Sequence, residues 1–359
     1  MYEQQIEKSE STNRKSPYYY LSNHRSELMG FAILWVVWFH SSVNLDFFPF
    51  GILNSTFSFC KNIGYGGVDI FLLVSGIGIY KSLEKNNISQ YIKNRIKRIS
   101  PVWWTFLIIS ILLGHFVFQV HFSKLEIIGF ATYTGFWLDM SNQGNWYVYA
   151  IMLFYLVSPV FYSLIKNSNR RLLTFIVLIV ASLIISVPFF DNFKLIVFSR
   201  VPIYVTGMYI ASCLNNMRIK KLHWIGLLLI SIIGFIVLWV FYRFCSEYLW
   251  PYGLWWYPFI VIAPSLSLLL AKLFDCIRKT AKPLLSILSI LGKSSLEILL
   301  VSDYLFANFN KLNIVIFNIR VTSIFVVIIS LLIGIAFHYC IDSIIKFFNQ
   351  IIDRRKENG

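Results

Sequence analysis

Long apolar stretches dominate this chain and leave few folds open to it. About ten runs of roughly 20 residues, each nearly free of charge, alternate with short polar segments. A helix of roughly 20 residues crosses the ~30 Å hydrocarbon core of a bilayer. Only 14% of the residues are charged, against about 25% in an average soluble domain. The sequence therefore predicts an integral membrane protein that crosses the bilayer about ten times.

The predicted fold class is all-α, a polytopic helix bundle. Lipid offers no hydrogen bonds to the backbone, and a helix satisfies its own N–H and C=O groups. The alternating strands of a transmembrane barrel are not evident in the sequence. The predicted spans are 28–45, 63–82, 101–120, 146–165, 171–190, 195–214, 222–242, 251–271, 284–307 and 321–345. The aromatic stretch 121–145 is predicted to be an outer-face loop or an interfacial helix.

Lysine and arginine indicate the orientation. With the N-terminus in the cytoplasm, the inside segments carry about four times as many of these residues as the outside loops. The formal net charge of +15 then reflects basic cytoplasmic loops, and no nucleic-acid partner is predicted. Both termini are predicted to be cytoplasmic. One transmembrane domain, 28–345, would lie between an N-terminal segment, 1–27, and a tail, 346–359.

The five cysteines do not suggest a metal site. Cys60, Cys213, Cys245, Cys276 and Cys340 show neither CxxC nor Cys/His metal spacing. Cys60 and Cys245 fall in loops that are predicted on the same side of the membrane, so they could form a disulfide. No metal and no tightly bound cofactor are predicted.

Ionisable side chains within the predicted spans are candidates for function, because Arg, Lys or Asp costs at least about 2.5–3.5 kcal/mol at the bilayer centre. Those singled out here are His40, Asp69, Arg200, Lys293, Glu297 and Asp303. Structural interpretations stand beside the functional ones. His40 could be a polar anchor, and Asp69 and Arg200 could form a structural ion pair. Lys293 and Glu297 are four residues apart and could neutralise each other on one helix face.

A basic cluster precedes the third predicted span. The segment 81–98, predicted to be a cytoplasmic loop, ends with Lys93, Arg95, Lys97 and Arg98. One interpretation is the positive-inside rule together with contact to anionic headgroups. The other is a site for a phosphorylated ligand, because the planar fork of arginine binds two phosphate oxygens at once.

Five glycines lie in or beside the second predicted span: Gly64, Gly66, Gly67, Gly76 and Gly78. The order of a GxGxxG nucleotide loop and its strand context are both missing. Small residues let transmembrane helices approach closely. The glycines therefore predict close helix packing.

Six short motifs follow one another along the chain. They are LMGFAILWVVWFH ending at His40, GVDIFLLVSG with Asp69, RIKRISP with Arg95 and Arg98, WYVYAIMLFYLVSP, SRVPIYVTG with Arg200, and SLEIL with Glu297. In this order and at these separations they resemble the membrane-bound acyltransferase family 3, the O-acyltransferases that modify surface sugars. The chain departs from the family pattern at Met29, where a basic residue is frequent, and at Ser302, where histidine is frequent.

The resemblance implies transfer of an acyl group, usually acetyl, from acyl-CoA to a hydroxyl group of a glycan or a lipid-linked sugar. Acetyl-CoA or another acyl-CoA is then the co-substrate, and the other partners are the acceptor and membrane lipids. The implied location is the plasma membrane of a bacterial cell. Arg95 and Arg98, which match the family's RxxR motif, would bind the donor phosphates.

The resemblance also implies roles for the intramembrane residues. His40 would be the catalytic base, or would briefly carry the acyl group. Asp69 could orient its imidazole, and Glu297 is a second candidate for proton relay or positioning. Arg200 could bind the acceptor or stabilise developing charge. The positions Ser302 and Asp303 belong to the same acceptor or charge-stabilising group.

Two other classes of protein stay open at this point. The same buried charges could line the path of a transporter or flippase for a sugar lipid. The departures at Met29 and Ser302 could instead mark a polysaccharide-assembly partner that has lost activity. Cleavage of the acetyl-CoA thioester by the purified protein, with a glycan acceptor, separates a transferase from a transporter.

Overall fold

The computed structural model describes residues 16–41, 51–140, 145–213, 217–309 and 321–357. Within these ranges all regular secondary structure is helical and no strand occurs. This confirms the predicted all-α class. The physical reason is that a helix satisfies its own backbone N–H and C=O groups and leaves none of them open to lipid.

The helices are numbered in chain order. The first eight are α1 (Pro17–Asn23), α2 (Arg25–His40), α3 (Gly51–Asn62), α4 (Gly66–Lys85), α5 (Ile88–Phe116), α6 (Lys124–Ala131), α7 (Trp146–Asn167) and α8 (Arg171–Ser186), which a 3-10 turn (Val187–Phe189) continues. The others are α9 (Leu195–Phe198), α10 (Val201–Cys213), α11 (Lys221–Phe244), α12 (Ser246–Leu249), α13 (Phe259–Ile277), α14 (Lys282–Lys293), α15 (Ser295–Phe309) and α16 (Val321–Glu357).

Among the described residues, eight helical segments are long and apolar enough to cross a membrane. They are Gly66–Lys85, Ile88–Phe116, Trp146–Asn167, Arg171–Phe189, Leu195–Cys213, Lys221–Phe244, Phe259–Ile277 and Ile324–Phe347. The predicted ninth span is interrupted at Ser294, and α14 with α15 would make one more. Helix α2 has 16 residues, or about 24 Å, which is short for a ~30 Å core. The end of the predicted first span, 42–45, lies outside the described residues.

Two predicted spans start at clearly different residues in the structure, and the last predicted span continues past residue 345 to Glu357. Helix α5 begins at Ile88, well before the predicted start at residue 101, so the basic cluster lies on a helix and not in a loop. The buried Tyr91 and Ile99 lie about two helical turns apart and face the same side of the helix. The prediction counted apolar residues in a window, and such a count does not detect this spacing. Helix α13 begins later than predicted. The turns before it include Gly253, whose φ of +73° favours glycine.

The chain divides into two compact units, and the first comprises Met1–Phe39, Asn44–Ile92 and Ala150–Gly292. In this unit α4 packs against α10. A Cβ atom on Gly76 would collide with the carbonyl oxygen of Tyr204, and one on Gly207 with that of Leu73. The predicted close packing of helices at Gly76 is therefore confirmed.

Three other glycines of the predicted set are also in close contact. Gly64 lies against the Trp35 backbone, Gly66 against the Phe259 ring and Gly67 against the Ala32 backbone. At Gly78 an added Cβ would meet only the Arg25 side chain, at 3.6 Å. Close packing thus accounts for four of the five positions, and Gly78 is the exception.

The second unit comprises His40–Val43, Lys93–Tyr149 and Lys293–Gly359. In it α15 packs along α16, where Gly334 lies against the backbone of Ile298. Helix α6 falls in the stretch predicted to be an outer loop or an interfacial helix. It begins with a capping box in which the side chains of Ser123 and Glu126 each accept from the other's backbone N–H.

The five cysteines are free thiols, which corrects the suggested disulfide between Cys60 and Cys245. Cys60 lies in α3, and Cys245 follows the last residue of α11. Membership of loops on the same side of a membrane does not bring two Cα atoms within the roughly 4.4–6.8 Å that a disulfide needs.

Candidate active site

A histidine and a carboxylate meet in the second unit. His40 is the last residue of α2, and Asp303 lies in the middle of α15. His40 Nδ1 is 3.2 Å from Asp303 Oδ1. The His40 side chain is 35% exposed and that of Asp303 is 18% exposed, so a substrate can reach the ring while its partner is largely shielded. Within the described residues Asp303 Oδ1 accepts no hydrogen bond, so the contact is electrostatic and becomes an ion pair when His40 is protonated. A carboxylate at this distance stabilises a protonated imidazole.

The residue beside the His40 ring is therefore not the one that sequence reasoning assigned. The sequence suggested Asp69 as the orienting carboxylate and placed Asp303 among the acceptor or charge-stabilising groups. In the structure Asp303 contacts His40, and Asp69 binds Arg200. Asp69 was suggested because it is predicted at a similar depth in the membrane to His40. Which carboxylate lies beside an imidazole depends instead on how the helices pack, and the predicted depth does not determine that.

A cavity of about 230 Å³, here called the aromatic cavity, opens beside Asp303. Its aromatic wall residues are Trp103, Phe106, Phe118, Phe122, Phe130, Tyr149 and Tyr304. Its polar lining residues are Ser110, Asn145, Asp303 and Asn308. Sequence reasoning noted the aromatic stretch 121–145 but singled out none of the aromatic wall residues. The available signals were this stretch, which contains Phe122 and Phe130, and an aromatic content of 18%.

The wall of the aromatic cavity is held in place by hydrogen bonds. The Trp103 indole N–H donates to the carbonyl oxygen of Phe130 at 2.9 Å. The Tyr133 ring stacks on Trp103 at 6.3 Å, and its hydroxyl donates to Ser100 Oγ at 2.8 Å. Burial raises the pKa of the Tyr133 phenol, which therefore stays protonated and keeps this donor role. The cavity is thus preorganised.

A second histidine–carboxylate pair joins α15 to α16. His338 Nδ1 lies 2.9 Å from Glu297 Oε1, and Glu297 is buried. Within the part of the chain that the structure describes, Glu297 Oε2 has no hydrogen-bond partner. Sequence reasoning missed His338, although an ionisable residue within the last predicted span was the available signal.

The suggested neutralisation of Glu297 by Lys293 is not what the structure shows. Lys293 is the last residue of α14 and is exposed, and Glu297 belongs to α15. The break at Ser294 means that a spacing of four residues does not place the two side chains on one helix face. Glu297 takes His338 as its partner instead.

Asp69 and Arg200 form an ion pair in the first unit. Arg200 Nη1 donates to Asp69 Oδ2 at 2.7 Å, and both side chains are 1% exposed. The guanidinium group also lies 5.5 Å from the centre of the Trp256 ring. A pair so completely buried is out of reach of a substrate, so the geometry favours the structural interpretation of these two residues.

The remaining predicted site residues all belong to the second unit. Ser302 is buried, and its hydroxyl donates to the carbonyl oxygen of Leu299 in the same helix, 3.0 Å away. Arg95 is half-buried and Arg98 is exposed, both on α5. Arg98 is close enough to His338 for their charges to interact.

The family comparison bears on the classes of protein that the sequence left open. Residues 28–340 match the model of the acyltransferase domain of family 3. Neither the curated proteins nor the solved structures gave a match. The match covers most of the chain and all six motifs, and it favours a transferase over a transporter or an inactive partner. The chain is a multi-pass membrane enzyme, and it belongs to the acyltransferase family 3.

Proposed function

We propose that this acyltransferase moves an acetyl group from acetyl-CoA to a hydroxyl group of a cell-surface glycan or a lipid-linked sugar. The enzyme would act in the plasma membrane of a bacterial cell. The observation that carries the proposal is the 3.2 Å contact between His40 and Asp303 beside the aromatic cavity. No metal or tightly bound cofactor is needed for this chemistry.

The His40–Asp303 pair suits proton transfer from an alcohol. A sugar hydroxyl is a poor nucleophile and needs a base. With Nδ1 turned to Asp303, Nε2 of His40 takes the hydroxyl proton while the oxygen attacks the thioester carbonyl carbon. The C–S bond then breaks, and the proton passes from His40 to the departing CoA thiolate. Asp303 stabilises the imidazolium in between and keeps its orientation.

The aromatic cavity suits a sugar ring. Flat aromatic side chains pack against the apolar faces of a pyranose, and the hydroxyl groups around its rim need hydrogen-bond partners. Ser110, Asn145 and Asn308 offer such partners within the same cavity. This combination supports a carbohydrate acceptor.

The other predicted site residues divide between donor binding and structure. Arg95 and Arg98 would bind the phosphates of the donor, because both lie on the same helix at a spacing of one turn. Asp69 and Arg200 would stabilise the first unit as an ion pair. Glu297 would hold α15 against α16 through His338, and Ser302 would remain an internal group of α15.

The decisive experiment replaces His40 by glutamine. His40→Gln keeps a polar side chain but removes the base, so acetyl transfer should fall by about 10²–10⁴-fold. The Michaelis constant for acetyl-CoA should stay near its original value, because the donor phosphates bind elsewhere. The measurement is the O-acetyl content of surface glycans in cells, together with transfer by purified protein at a verified protein level. Near-normal turnover of His40→Gln would contradict the role of His40 as catalytic base and leave it as a polar anchor.

A further inference from the structure

A second cavity in the same unit is almost entirely apolar. It has a volume of about 460 Å³ and lies between α5, α15 and α16. We call it the apolar cleft. Its lining includes Ile109, Leu113, Leu305, Ile333, Ala336 and Ile344. Its volume falls in the range of about 300–1,000 Å³ that is typical of ligand pockets.

The apolar cleft and the aromatic cavity share part of their walls. Phe106, Ser110 and Tyr304 line both. The Tyr304 hydroxyl donates to the carbonyl oxygen of Ser110 at 3.4 Å, where the two spaces adjoin. A single molecule with a polar head and an apolar tail could therefore occupy both at once.

We propose that the apolar cleft binds the hydrocarbon tail of a lipid-linked acceptor, whose sugar lies in the aromatic cavity beside Asp303 and His40. The inference rests on the proposed acetyl transfer and narrows it. The acceptor is a sugar lipid, not a polysaccharide free of lipid.

The dimensions of the apolar cleft fit one lipid chain. Its lining on α16 runs from Ile333 to Ile344, which is about 16 Å of helix. Half of the hydrocarbon core of a bilayer is about 15 Å thick. Both α5 and α16 contain segments that are long and apolar enough to cross a membrane, so the cleft lies along candidate membrane-spanning helices.

The direction of the cleft selects the acceptor over the donor. In the predicted topology α5 and α15 run outward, and the aromatic cavity reaches Gly114 and Asn308 toward their outer ends. The apolar cleft reaches Thr105 on α5 and Ile344 on α16 toward the cytoplasmic side. A sugar lipid of the outer leaflet has this polarity, with its head outward and its tail inward. A long-chain acyl-CoA would enter with its phosphates on the cytoplasmic side.

Photo-crosslinking in living cells tests the occupant directly. The full chain carries p-benzoylphenylalanine at Leu305 or Ala336, and the attached molecule is identified by mass spectrometry after purification. Matched controls are Leu332 on α16 and Ile108 on α5, which are exposed but do not line the cleft. We expect a glycan-bearing lipid at Leu305 and Ala336 and phospholipid at the controls. Phospholipid at all four positions, or acyl-CoA in the cleft, overturns the proposal.

Filling the cleft gives a second, functional measurement. Ala336→Trp should lower acetylation of the sugar lipid by about tenfold or more, since loss of apolar contacts of this size has such effects on specificity. The Michaelis constant for acetyl-CoA should not change, and Leu332→Trp should behave as the unsubstituted chain. Equal activity of both tryptophan variants overturns the proposal.

The two proposals fail in different ways. A glycan lipid crosslinked in the cleft, combined with normal turnover of His40→Gln, would remove the catalytic assignment and keep the tail site. Phospholipid alone in the cleft, combined with an inactive His40→Gln, would remove the tail site and keep the acetyl transfer.

Discussion

At the scale of single residues, the ion pairs of the predicted spans differ in how deeply they are buried. Three carboxylates of the predicted spans have three different partners: Asp69 binds Arg200, Glu297 binds His338, and Asp303 contacts His40. Of these three pairs, only the last has a basic side chain, that of His40, that is more than a third exposed. Exposure of one partner is what a substrate needs, so this pair is the candidate for catalysis.

The two aspartates should respond differently when each is replaced by asparagine. Asp303→Asn leaves the shape of α15 unchanged but removes the orienting carboxylate, so turnover should fall at least about tenfold at normal stability. Asp69→Asn leaves the buried Arg200 uncompensated, which should lower stability by about 3–5 kcal/mol. Acetyl transfer per molecule and the thermal unfolding midpoint of purified protein measure the two effects.

An exposed aspartate provides the control for both variants. Asp342 pairs with Lys346 at 2.7 Å on the surface of α16. Exposed ion pairs contribute little to stability. Asp342→Asn should therefore change neither turnover nor the unfolding midpoint. Loss of turnover in Asp69→Asn at unchanged stability would return the orienting role to Asp69.

The two arginines of α5 should affect the donor. Arg95→Ala or Arg98→Ala should raise the Michaelis constant for acetyl-CoA by roughly tenfold to a hundredfold, because a charge-assisted contact is worth about 1.5–3 kcal/mol. Lysine should rescue each position only in part, because it binds phosphate as a point charge. Initial-rate kinetics at varied acetyl-CoA concentration measure the effect.

The neighbouring Lys93 is the control for the arginines, because it is exposed on the same helix. Lys93→Ala should raise the Michaelis constant much less than either arginine variant. If the arginine variants insert normally and keep the original donor affinity, the cluster serves only membrane topology.

At the scale of helices, close contact between backbones holds the first unit together. Helices α4 and α10 approach so closely that Gly76 and Gly207 leave no space for a methyl group. In lipid, packing of this kind replaces much of the hydrophobic effect that drives helix association in water. Helix α4 carries Asp69, and Arg200 directly precedes α10. The glycine contacts and the ion pair therefore join the same two helices.

Alanine at these glycines should destabilise the protein. Gly76→Ala and Gly207→Ala should each cost about 1–3 kcal/mol, because the added methyl group meets backbone that cannot move aside cheaply. Gly226 in α11 is the matched control, with no atom within 4 Å of an added Cβ. Gly226→Ala should be neutral or slightly stabilising, because alanine favours helix. Thermal unfolding in detergent measures all three, and equal losses would contradict a packing role.

At the scale of the whole molecule, the distribution of lysine and arginine predicts that the donor side is the cytoplasm. A cysteine at Asn87 should be inaccessible to a membrane-impermeant maleimide in intact cells. A cysteine at Leu138 should be labelled. The predicted outer stretch 121–145 also contains Asn142, which lies outside the described residues, so Leu138 is the better position.

The baseline for this experiment is the labelling of the unsubstituted chain, which has five free cysteines. Labelling at Asn87 above that baseline would reverse the orientation. It would also remove the argument that Arg95 and Arg98 face cytoplasmic acetyl-CoA, and with it the polarity of the apolar cleft.

The fold class and the family could be predicted from the amino-acid sequence, which also singled out His40 as a candidate site residue. Apolar runs and ordered motifs are local patterns, and each can be read from neighbouring residues. The partners of the buried charges became known only from the packed helices. Asp69 and Arg200 are 131 positions apart, and Glu297 and His338 are 41 apart. The aromatic cavity, the apolar cleft and the Asp303 contact arise from the packing of helices distant in sequence, which no local pattern encodes.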